Sequence, residues 1–255
     1  MRYLTALAAL GLLLAVTTTA GANTWGTARI RHEGFGYHGI AGVNWDHDND
    51  GVYEYNYNNN VYVGEYRFRF DKDHADSTSL ARNLLSDPFY AFCTDLEQEP
   101  GGWATYDMVD VEDAPIMTLD SPMGEAKAND LREMFGENPP ATFIGTDNQR
   151  AEAYGAAVWE VVFENENNAY DFDAGTLTIN GWDGSAKTYA QTLLASITGD
   201  TENYDPDLFA LTNANLQDMT LTVPGYGGMI PEPVTMAGLA LGIGALGGYV
   251  RRRRT

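Results

Sequence analysis

The 255-residue chain has one cysteine, Cys93, so no internal disulfide can staple it. Its stability must come from a buried core, which about 200 residues can supply as one domain or two small ones. Lysine is nearly missing: Lys72, Lys127 and Lys187 are the only three. Fifteen basic residues oppose 36 acidic ones, for a formal charge of −21 at pH 7. A surface of that sign repels phosphate backbones and anionic headgroups, which excludes nucleic acid and acidic lipid as partners. No Gly-x-Ser-x-Gly, phosphate loop or His-Glu-x-x-His string occurs. The four histidines, His32, His38, His47 and His74, lack zinc-site spacing and read as exposed side chains. With so many acids any carboxylate pair can be found, so pairing alone says nothing of a glycosidase.

The two ends carry what the middle lacks, apolar runs beside positive charge. Arg2 precedes an apolar stretch from Leu4 to Val16, and Ala20-Gly21-Ala22 has the small-residue pattern of a signal-peptide cleavage site. Residues 1–22 are therefore expected to be a signal peptide cut before Asn23. At the other end, Val234 to Val250 contains no Asp, Glu, Lys or Arg. As a helix it would reach roughly 25 Å, the lower edge of a membrane span. Arg251, Arg252, Arg253 and Arg254 follow and would stay cytoplasmic. Pro231 and Pro233 resist helix on the opposite side. Gly238 and Gly242 form a Gly-x-x-x-Gly pair in a segment glycine-rich throughout.

Pro231-Glu232-Pro233, the apolar span and the terminal arginines together resemble the PEP-CTERM sorting signal. The resemblance implies processing by an exosortase, a membrane transpeptidase-like enzyme that cuts near the motif. It implies a protein anchored in the inner membrane before processing and at the cell surface or outside the cell afterwards. The expected organisation is a signal peptide (1–22), an exported domain (23–223), a linker (224–230) and the sorting signal (231–255) with its transmembrane helix at 234–250.

Between the signals the pattern is mainly β, α+β in class. Residues 23–70 alternate apolar and polar positions, with strands at 61–63 and 66–70. Further strands are expected at 89–96, 177–179 and 219–223, and a loop over 99–125. Three helices are expected: Lys127 to Phe135, Arg150 to Phe163 with Asp147 or Asn148 as cap, and Ala186 to Ile197 closed by Gly199.

Asp46-His47-Asp48-Asn49-Asp50-Gly51 places carboxylates at alternate positions before a glycine turn. Asp46, Asp48 and Asp50, the Val52 carbonyl and Glu54 can converge on one hard cation such as calcium. The twelfth position is Tyr57 and the flanks read as strand, so this is no EF-hand. A solvated acidic turn fits the same string. Trp25, Trp45, Trp103 and Trp182 are candidates for stacking on sugar rings or for core packing.

Phe92-Cys93-Thr94-Asp95-Leu96 and the later Ala153 to Glu164 run around Trp159 resemble the thioester domains of bacterial surface adhesins, loosely over residues 60–200. In that family, the resemblance implies, a strand cysteine meets an acyl partner from a Gln-x-Ala-Ile-Trp helix. The glutamine should stand four residues before the tryptophan, and Gly155 stands there. Gln149 lies more than a turn earlier and Gln98 shares the cysteine's own segment. The expectation is therefore no internal thioester, with Cys93 a small buried hydrophobe. The expected function is a non-enzymatic exported surface or extracellular-matrix protein that binds calcium and contacts polysaccharide. The alternative is a secreted hydrolase acting on extracellular polymers.

Overall fold

The computed structural model describes residues 24–116, 122–165, 168–200, 204–205 and 207–223, with backbone alone for 57–60. The expected signal peptide, linker, sorting signal and membrane helix lie outside the described residues. Among the described residues no helix is long and apolar enough to cross a membrane.

Seven strands form one antiparallel sheet: β1 (Gly26–Trp45), β2 (Tyr55–Phe70), β3 (Phe89–Cys93), β4 (Ala104–Val109), β5 (Leu177–Asn180), β6 (Leu208–Asn213) and β7 (Leu216–Thr222). The order is β2-β3-β7-β6-β4-β1-β5, and β2 also pairs with β1. That last pairing closes six strands into a barrel, which removes all but one of the edges where sheets aggregate. β1, β3 and β6 run one way, and β2, β4 and β7 the other.

Twenty residues make β1 long enough for three partners. Its first third pairs with β4, its middle and end with β2, and its last four residues also with β5. The alternation expected from sequence is real here. Ala28 and Ile30 are buried, while Arg29 and Arg31 between them reach solvent. On β2, Tyr66, Phe68 and Phe70 are buried between partly exposed Arg67 and Arg69.

Four α-helices accompany the barrel: α1 (Ser79–Leu84), α2 (Gly124–Glu137), α3 (Asn148–Phe163) and α4 (Gly184–Ala195). The sequence reading found the last three and missed α1, a single turn and a half capped by Thr78. The reading of 99–125 as loop is corrected as well, because β4 lies inside it. Met108 and Val109 are buried there against β6, so tertiary pairing overrides the flanking turn residues. Every residue of α3 from Ala151 to Phe163 is buried. A helix buried on every side lies inside the fold, and α3 sits between α2, α4 and strands β1, β2, β3 and β5, with Glu152 and Glu160 buried along with its apolar residues.

Candidate functional site

Cys93 ends β3, opposite Met219 of β7. Its thiol donates to the carbonyl oxygen of Asp95 at 2.6 Å, and the Asp95 amide returns a hydrogen bond to the sulfur at 3.2 Å. This tight turn is fixed from across the sheet, where Thr94 N–H donates to the Asp218 carbonyl at 3.0 Å. Gln217, second residue of β7, aims its side chain at the same place. Its Nε2 donates to the same Asp95 carbonyl oxygen at 3.1 Å. One carbonyl thus holds a thiol and a carboxamide side by side.

Both groups are dry. Cys93 is 1 % exposed and Gln217 6 %. Burial pushes the Cys93 thiol well above its ordinary pKa, and the Asp95 carboxylate raises it further, so the sulfur is protonated at neutral pH. The Trp159 indole stands beside the sulfur, and the Tyr66 hydroxyl beside the carboxamide. The Gln217 Oε1 atom is buried with no hydrogen-bond partner among the described residues. An unpaired buried carbonyl costs desolvation free energy of about 1–3 kcal/mol, and such atoms call for a chemical explanation.

Gly155 plays a different part from the one its position suggested. A Cβ at 155 would stand 2.6 Å from the backbone nitrogen of Gly64 and 3.0 Å from its Cα. Gly64 in turn has φ +148 and sits against the backbone of Tyr37 and His38. Helix α3 lies on β2 backbone to backbone at this point, and no side chain fits there. The expectation that Cys93 lacks an acyl partner rested on this position. The carboxamide that shares the Asp95 carbonyl with Cys93 belongs to Gln217 of β7. Gln217 was overlooked because it lies 124 positions beyond Cys93 on a short strand; only the strand pairing brings them together.

Above Gln217 the barrel mouth opens as a cavity of about 420 Å³. One wall is aromatic: His32, Phe35, Tyr62 and Tyr66. Phe35 stacks on Tyr62 at 4.1 Å, and the His32 ring leans on both Phe35 and Tyr66 at 5.4 and 5.7 Å. Gln98 and Glu99 face them, and Gln217 contributes to the lining. His32 Nε2 and Gln98 Oε1 are buried without partners among the described residues.

The acidic loop stands at the far tip of the β1–β2 hairpin. The side-chain oxygens of Asp46, Asp48, Asp50 and Glu54 lie within 4.8 Å of one another. Asp46 is buried and the other three exposed. The turn is wound by its own carboxylates: Asp46 accepts from Asp50 N–H at 3.1 Å and Gly51 N–H at 2.8 Å, and Glu54 from His47 N–H at 2.8 Å. Asn49 (φ 57) and Gly51 (φ 89) supply the left-handed residues this winding needs. Val52 lies in the turn with its N–H on Asp50 at 2.8 Å. Four carboxylates fit a hard divalent cation, which takes six to eight oxygens and would draw the remainder from backbone or water.

The tryptophans divide. Trp45 is buried against Tyr55 and Phe163, whereas Trp103 is 40 % exposed under the Arg31 guanidinium at 5.0 Å. Comparison with known proteins gives no significant match to a family model, a curated protein or a solved structure.

Proposed function

We propose that this is an exported surface or extracellular-matrix protein in which Cys93 and Gln217 condense into an internal thioester. It is a single-use acylating group and not a turnover enzyme. The observation that supports it is the shared Asp95 carbonyl, which presents the buried thiol and carboxamide to each other. The sulfur attacks Cδ of Gln217, the C–N bond breaks, and the thiol proton leaves on nitrogen as ammonia. No oxidant or cofactor is consumed. Holding two reactants in one geometry replaces a bimolecular step, an advantage of about 7–11 kcal/mol in well-oriented cases.

Export rests on the terminal segments: the signal-peptide pattern and the PEP-CTERM-like tail support secretion, exosortase processing and transient membrane anchoring. The Asp46–Glu54 loop supports calcium binding, which would brace the hairpin tip outside the cell.

Intact mass of the purified domain tests the thioester. The parent is expected to lack one ammonia and to show no titratable thiol, whereas Cys93→Ala and Gln217→Ala keep full mass. A parent of full mass with a free Cys93 thiol in denaturant overturns the reading. C-terminal sequencing of the protein from its native cells tests the sorting signal.

A further inference from the structure

Resting on the thioester reading, we infer that the barrel-mouth cavity admits a saccharide hydroxyl to the Gln217 acyl carbon, with His32 as general base. The cavity is the space onto which Gln217 faces, so an acceptor that reaches the acyl group through it must pass its lining. That lining has the two features of a sugar site. Phe35 and Tyr62, each about two-fifths exposed, form a stacked platform at the rim for the apolar face of a pyranose ring. Deeper in, Gln98 Oε1 is an unpaired acceptor that a hydroxyl can satisfy.

His32 is set up to take a proton. Its Nε2 is buried and unpartnered, while a hydrogen bond with the Gly34 backbone engages the ring and leaves Nε2 as the lone-pair atom. Burial lowers its pKa more than that hydrogen bond raises it, which keeps the ring neutral. The other ionisable groups lining the cavity are Tyr62, Tyr66 and Glu99. Glu99 is exposed at the rim. Among the lining residues the buried acceptors His32 Nε2 and Gln98 Oε1 are neutral and suit a neutral hydroxyl. In the step itself the hydroxyl oxygen attacks Cδ of residue 217 and the C–S bond breaks. The hydroxyl proton passes through His32 to the departing Cys93 sulfur, leaving an ester and a free thiol.

The test uses the purified domain with its ammonia loss first confirmed by mass, so failure of the thioester and failure of this inference are separate results. It is incubated with maltotriose, cellotriose or triacetylchitotriose, and in parallel with butylamine. The expected result is a saccharide adduct of intact-sugar mass, released by hydroxylamine, with one new thiol per adduct. His32→Gln should slow that adduct at least ~100-fold, the usual scale of general-base assistance. Phe35→Ala should raise the saccharide concentration needed for half-maximal rate. An ammonia-deficient parent that takes up butylamine and none of the saccharides overturns the inference. So does a His32→Gln variant, still ammonia-deficient, that forms the ester at the parent rate.

Discussion

Replacing Gly155 by alanine tests the backbone contact between α3 and β2. The added methyl would meet the Gly64 nitrogen at 2.6 Å, and the obstacle is main chain, which has no rotamer to escape into. Either α3 or β2 must shift by several tenths of an ångström inside a packed core. Overpacking of this kind costs about 1–3 kcal/mol. Alanine is worth roughly 1 kcal/mol more than glycine in a helix interior, part of it through the unfolded chain. The net expectation is destabilisation of up to about 2 kcal/mol, which lowers Tm by up to roughly 8 °C in a domain of this size. Gly184→Ala is the control: that glycine begins α4, and nothing lies within 4 Å of its missing Cβ. Urea titration of both variants with the m-value checked for constancy is the assay. Gly184→Ala should be neutral or slightly stabilising. If Gly155→Ala gains the full stability of roughly 1 kcal/mol that alanine brings to an unobstructed helix interior, α3 does not rest on the β2 backbone as described, and the account of position 155 fails.

Glu160 is wholly buried and its pKa is pushed up to about 8 by desolvation first, with Glu164 and Asp171 adding to it. An acid raised in the folded state contributes stability in full below its ordinary value of 4.5 and loses it as pH rises toward 8. Glu160→Gln should therefore raise Tm at pH 8 and flatten the Tm profile between pH 5 and 8; an unchanged slope would count against a protonated Glu160. Asp183 caps α4 by accepting from Ser185 N–H at 2.8 Å and Ala186 N–H at 3.2 Å. Its replacement by alanine should cost about 1 kcal/mol by denaturant melting, and no loss would mean that the cap is idle. Calcium titration by calorimetry should show one site that disappears in Asp46→Asn, and no heat up to millimolar ion would remove the loop from the list of cation sites.

Periodicity located what local sequence controls. The helix read from Arg150 to Phe163 came close to its final bounds, while the alternation over residues 23–70 gave strand character without the bounds of β1 and split β2 into two short pieces. β4 escaped because its six residues lie between glycines and prolines that read as loop. The acids misled in a subtler way. Glu65, Glu133 and Glu164 look like surface charge in a chain of this composition, yet each is buried with its carboxylate accepting backbone N–H groups: Tyr37 and Gly145 for Glu65, Thr198 and Gly199 for Glu133, Thr176 for Glu164. They bind loops to the body, a role that no spacing announces. Of the candidate sites, the acidic loop was legible because its donors are contiguous. The thiol–carboxamide pair was half legible: the cysteine stood out, and its partner depended on which strand closes the barrel.

Strand direction has a bearing on how the protein would be displayed. β1 enters and β7 leaves at one end of the barrel, where Leu208 pairs with Thr222 and Gly26 with Met108. Gln217, Gln98 and the aromatic wall stand at the other end, and the acidic hairpin tip projects beyond them. A domain tethered through the segment after Val223 would therefore point its cavity away from the tether. Orientation toward an approaching polymer is set by strand parity, and a rigid stalk or a second domain is not required to aim it.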